Sequence, residues 1–367
     1  MRLRRSLSFW LFQAILVLAS TRVLAITRCF GGEAAADHPA PKVTRAAQSA
    51  TFYKIQAGIE GEIFPVFANY ASLLSQEQRS FGIVSVTITN SGKESLRQRV
   101  AVSVVGWSDE EIQLSDVPAG GQHTLNFAPS FLPRFYRNRE ITAATVHVTF
   151  SDLTGTKKLD ETTVPVRLRS AEDIYWGNGF KNAQFIASWV TPHDETIEKV
   201  LAEAKLYTPD RRLPGYENWK TAAEQEQETF LEAKAIYNAV KRMGLSYVKS
   251  SATLGGNQPS SERVRMPRVT LSHNSGNCID AAVLYASLFE NLGMEPSVII
   301  VPGHAYVGVR VSQGSSQLLF LDAALTGRSS FTAAVSSANI GLARHPASAT
   351  TKVMIEEARS SGIYPMP

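Results

Sequence analysis

Near residue 170 the sequence changes period, and that change confines the chain to a β-rich first part and a mixed α and β second part. Before it, short runs of Val, Ile, Thr and Phe alternate with turn clusters. Phe81 to Thr89 ends at Asn90-Ser91-Gly92, and Gln98 to Val105 and Glu111 to Leu114 lead to the turn Pro118-Ala119-Gly120-Gly121. His123 to Phe127, Ile141 to Phe150 and Thr162 to Leu168 complete the series, with Thr154-Gly155 between the last two. Strands at this spacing predict an antiparallel β-sandwich of the immunoglobulin-like kind over residues 51–169. His123 and His147 lie far apart here and are expected to be surface or packing residues. The module is expected to be an accessory or spacer.

After residue 170 the apolar residues recur at helical spacing. Ile197, Val200, Leu201 and Ala204 share a stripe in His193 to Tyr207, with Thr191 and Asp194 as caps. Phe230, Ala233, Ile236, Tyr237 and Val240 share one in Ala222 to Met243, which Gly244 ends. A Gly, Ser and Pro-rich loop spans Ser250 to Pro267. Trp176 and Trp219 are read as packing residues.

Asn277 is a natural N-cap and puts Cys278 in the first turn of a helix that is apolar all round, hence buried, and closed by Gly293. A thiol at a helix N-terminus feels the positive end of the helix dipole, which favours the reactive thiolate. Asp280, in the same turn, opposes this if it points the same way. A lone cysteine is more often a small buried hydrophobe, so the residues downstream of it decide. Ser297 to Val301 is a β run broken by Pro302-Gly303. His304 to Val311 alternates, with His304, Tyr306 and Arg310 on one face, and Gln317 to Asp322 returns. Centring the hairpin on Gln313 makes His304 and Asp322 cross-strand neighbours to within about a residue. Cys278 would then be the nucleophile, His304 its base and acid, and Asp322 the group that orients the imidazole.

These segments, Gly276-Asn277-Cys278-Ile279-Asp280, LYASLFENLGMEP, PGHAYVGVRV and LLFLDAAL, resemble the transglutaminase-like superfamily, whose core is papain-like. The resemblance covers roughly residues 190–330. It implies a transglutaminase-like α+β domain, set at 170–345, with residues 346–367 as a C-terminal tail. It carries the catalytic roles onto Cys278, His304 and Asp322. The short interval from Cys278 to His304 suits compact bacterial members, often hydrolases, and no calcium-binding loop is apparent. An oxyanion hole would use the Cys278 N–H, with Gln258 as the candidate second donor. Zinc held by His273, Cys278 and His304 is a weak alternative, so neither metal nor cofactor is expected.

Residues 1–25 read as a secretory signal: Arg2, Arg4 and Arg5, then the apolar run Leu7 to Leu18, then Val23-Leu24-Ala25. An uncleaved anchor, the only membrane attachment considered, is the alternative. Residues 26–50 read as a linker. With Arg2, Arg4, Arg5 and Arg22 set aside, the 37 basic residues fall by four to equal the 33 acidic ones, so charge makes no case for nucleic acid. A Cys29–Cys278 bridge would consume the nucleophile and is not expected. The reading is a periplasmic or secreted cysteine hydrolase acting on peptide or protein amides. The alternatives are a cross-linking acyl transferase and an inactive protein-binding or assembly module.

Overall fold

The alternating stretches of the first part fold as strands because alternation buries one face of each. In Thr51–Ala57 every second residue is buried, and Val84–Asn90 repeats the pattern. The computed structural model describes residues 43–46, 51–75, 78–79, 82–217, 221–249 and 261–367. The expected leader, Cys29, Trp219 and Gln258 lie outside them. The protein is of mixed α+β class. It divides into two units: Met1–Glu62, Leu74–Ser130 and Ala144–Val166 form one, and Ile63–Leu73, Phe131–Ala143 and Arg167–Pro367 the other.

In the first unit Val43–Ala46, Thr51–Ala57, Val84–Asn90 and Gln122–Phe127 make one antiparallel sheet, while Glu111–Val117, Leu96–Val104, Thr142–Ser151 and Lys158–Leu168 lie side by side in another. Val43–Ala46 falls within the stretch that composition assigns to a linker. It is a strand instead, paired with Thr51–Ala57, whose neighbour on the other side is Val84–Asn90. Tyr53 stacks on Phe150 with ring centroids 3.7 Å apart and gives its hydroxyl to Gln98 at 3.0 Å, which satisfies the polar tip of a buried ring. Asn90 explains its turn: its side chain donates to the carbonyls of Glu94, Val117 and Pro118 and accepts from the Gly92 N–H.

The second unit claims two stretches that strand spacing alone assigns to the first. The helix Pro65–Ser72 brings Phe67 and Tyr70 onto Phe185, at 4.9 and 5.2 Å between centroids. The helix Cys278–Asn291 is buried from Cys278 through Phe289, as its all-round apolar sequence requires. It packs on an antiparallel sheet ordered Leu318–Leu321, His304–Arg310, Pro296–Val301, Thr351–Met354. The other face of that sheet, with Ile299, Val301 and Tyr306, receives Ala338 of the helix Phe331–Ala343. Residues 346–367 are therefore not a tail. Thr351–Met354 pairs with Pro296–Val301, and Arg359 of the following helix binds both Glu290 carboxylate oxygens at 2.9 and 3.0 Å. A four-residue strand is too short to show a period.

The helix Ala222–Arg242 buries Ala233, Ile236, Tyr237 and Val240, but Phe230 is 41% exposed and not on the buried stripe. Phe230 leans edge-on against Phe331 instead, 5.1 Å between centroids. The same helix buries Glu232 completely. One oxygen accepts from the Gly215 N–H at 2.9 Å and the other has no partner. Burial first, then the nearby carboxylates, raises this carboxyl to about 8. The folded state thus holds a proton that the unfolded chain releases above its ordinary value of 4.5. This group's cost to stability is absent below 4.5, grows as pH rises, and levels off above about 8. Glu232→Gln is expected to flatten that fall in a series of denaturant titrations from pH 4 to 9.

Gly341 shows how closely the helix Phe331–Ala343 sits: a Cβ there would overlap the Tyr306 hydroxyl. Tyr306 is buried, so it cannot simply swing away. Gly341→Ala is expected to cost about 1–3 kcal/mol by overpacking, read as a lowered unfolding midpoint.

Candidate active site

Three local structures converge. Asn277 caps the Cys278 helix by accepting the Asp280 N–H at 2.9 Å, and Asp280 accepts in return from the Asn277 N–H at 3.1 Å. The second Asp280 oxygen accepts the Arg265 N–H at 2.8 Å. Asp280 is thus occupied in capping. Burial outweighs these bonds and raises its pKa. Cys278 is 5% exposed and is a free thiol. Its own N–H lies in the first turn, where helices have no internal acceptor.

His304 opens the strand His304–Arg310, and Asp322 comes directly after Leu318–Leu321. The hairpin register pairs Val307 with Leu321 and Gly308 with Phe320. Asp322 therefore falls opposite Tyr306, two residues along the strand from His304, where centring on Gln313 would put it. The hairpin turns about Gly314, whose positive φ of 68° suits glycine. Because the side-chain period is two, His304 and Asp322 still share a face and meet diagonally. His304 Nε2 lies 3.0 Å from Asp322 Oδ1, and Cys278 is near enough to the imidazole to favour its charged form. The three sequence-derived residues are thus brought together.

His304 is pulled in two directions. Burial disfavours its charged form, but the hydrogen bonds to Asp322 and Cys278 and their charges prevail and raise it to about 9. The imidazolium therefore stands beside the sulfur throughout the neutral range. For folding, this contribution is complete below the ordinary value of 6.5 and is lost as pH rises through about 9.

Sequence reasoning missed the support for Asp322. Its second oxygen accepts from Ser337 Oγ at 2.9 Å, and its N–H reaches the Ala334 carbonyl at 3.2 Å, both from the helix Phe331–Ala343. Ser337 carries no motif; only its position on that helix gives it a role. Tyr306 is the other unforeseen neighbour, its ring edge-on to His304 with centroids 4.6 Å apart. Trp176 is buried and donates to Glu262 at 3.2 Å, in keeping with a packing role. His273 is exposed. Among the described residues no group of three His, Cys, Asp or Glu side chains could hold a metal ion.

No protein-family model matches the chain, and no curated protein matches it. Among solved structures it is similar to the E541A form of the Amycolatopsis orientalis exo-chitosanase CsxA in complex with PNP-β-D-glucosamine. The identity is 11% and the TM-score 0.20, over 68% of this chain and 30% of that one, so this chain spans under a third of that protein. A likeness that slight supports no conclusion about fold or chemistry.

Proposed function

We propose that the protein is an exported cysteine hydrolase of transglutaminase-like fold, cleaving amide bonds in peptides or proteins through Cys278, His304 and Asp322. The observation that carries this is His304, bonded to Asp322 and brought close to a thiol at a helix N-terminus. In this reading the Cys278 thiolate adds to the amide carbonyl, and the developing oxyanion takes the Cys278 N–H. His304 gives its proton to the departing amine, leaving a thioester. Water then attacks, His304 takes a proton from it, and the acid leaves with the thiol restored. Asp322 holds the imidazole in orientation throughout.

The same proposal reads the first unit as an immunoglobulin-like accessory module and the N-terminal residues as an export signal. The alternation in that unit and the Arg-rich, then apolar, first 25 residues support these. Among the described residues no helix is long and apolar enough to cross a membrane.

A screen of peptide aminocoumarin amides with and without an added primary amine tests the reaction. Release of coumarin without amine incorporation supports hydrolysis. Amine incorporation would move the assignment to acyl transfer, and silence toward every amide would remove it.

A further inference from the structure

Two exposed arginines, Arg328 and Arg344, each act on a tyrosine that adjoins the Cys278–His304–Asp322 cluster. On one side the parallel pairing of Ser246–Tyr247 with Ser275–Gly276 sets Tyr247 opposite Gly276, two residues before Cys278. Tyr247 is 48% exposed, and it feels the charges of Cys278, Asp322 and Arg328. Arg328 is brought there by a close approach: a Cβ on Gly327 would lie 2.5 Å from the Leu245 carbonyl oxygen. On the other side Tyr306 packs on His304 and feels Asp322, Arg344 and Cys278. Arg344 ends the helix that bears Ser337, its N–H bonded to the Gly341 carbonyl at 3.2 Å.

Both arginines are exposed. Among the described residues neither forms an ion pair with a carboxylate. Asp322, the carboxylate of the cluster, is already bonded to His304 and Ser337. Surface arginines next to a carboxylate usually pair with it. Here two have no such pair among the described residues, and the cluster whose tyrosines they act on is already cationic at His304. Tyr247 adds an exposed ring on which an apolar or planar part of a ligand can rest.

We propose that Arg328 and Arg344 select acidic acyl substrates: peptides carrying free carboxylates close to the amide that Cys278 attacks, with Tyr247 as the apolar rest. The proposal adds substrate class to the cysteine-hydrolase reading and rests on it.

The test uses full-length Cys29→Ser protein, so that Cys278 is the only thiol, and compares alkylation by iodoacetate with alkylation by neutral iodoacetamide. His304 attracts the anion in every variant, so the change between variants isolates the arginines. Arg328→Ala and Arg344→Ala should each lower the iodoacetate rate about threefold, and the double variant about tenfold, with iodoacetamide unchanged. Added salt should narrow the difference between wild type and the double variant. Tyr247→Ala should raise KM for an acidic peptide amide and leave iodoacetate alone. An iodoacetate-to-iodoacetamide ratio the same in wild type and double variant overturns the selection. So does an equal fall with both reagents, which marks distortion of the site. A wild-type iodoacetamide rate no different from His304→Ala overturns the hydrolase reading itself, and is therefore distinguishable from failure of the arginine proposal.

Discussion

Replacing His304 by alanine is expected to slow alkylation of Cys278 at pH 6 by at least about tenfold, and to reduce turnover of an amide substrate by about 10²–10⁴. Two separate losses contribute. The imidazolium is the charge that would hold the sulfur as thiolate, and its pKa near 9 keeps it in place from acid to mildly alkaline pH. Without it that support for the thiolate is gone. The leaving amine also loses its proton donor, which alkylation does not sense but hydrolysis does. The thiol is 5% exposed, so reagent access is restricted and the pH dependence, rather than the absolute rate, carries the comparison. The alkylation rate as a function of pH, with the modified peptide identified by mass, checks this.

Asp322→Asn is the second large effect. Burial is the largest influence on His304 and disfavours its charge, and the hydrogen bond to Asp322 heads those that oppose it. An amide keeps the shape but removes the negative charge. It also presents either an acceptor or a donor to His304, so the imidazole can settle in the wrong tautomer. Turnover is expected to fall by about 10²–10⁴. The imidazole signal in NMR titration should fall from about 9, because Cys278 alone is then left to oppose burial. Stability should respond with the same sign. The variant loses most relative to wild type below pH 6.5, where the wild-type ion pair is complete, and the difference closes as pH passes 9. A titration left near 9 would show that Asp322 does not govern His304.

Legibility in the sequence tracks the range of the interactions. The Asn277 cap, the buried Cys278 helix and the alternation around His304 are local, and the structure has them where the residues place them. Asp194 likewise caps Glu195–Ala204 through the Thr196 N–H at 3.0 Å. The hairpin register is only partly legible. The turn residue with positive φ is Gly314, and centring on Gln313 instead displaces the partner of Asp322 by two residues, which leaves its face unchanged. Long-range features are not legible. Ser337 reaches Asp322 across fifteen residues and Thr351–Met354 joins a strand more than fifty residues earlier, neither with a local period. Phe230 fits a helical stripe by spacing, yet its partner Phe331 comes from another helix and leaves it half exposed. The helix Pro65–Ser72 escapes a sequence reading because its apolar residues meet aromatic partners more than a hundred positions away.

The central claim is that His304 and Cys278 act as one unit. The most direct measurement is the second-order rate of Cys278 alkylation by iodoacetamide between pH 5 and 8, in Cys29→Ser protein with and without His304→Ala. The expected result is a rate that is nearly flat across this range in the parent and climbs about tenfold per pH unit in the variant. Two superimposable curves, both climbing like an ordinary thiol, would contradict it.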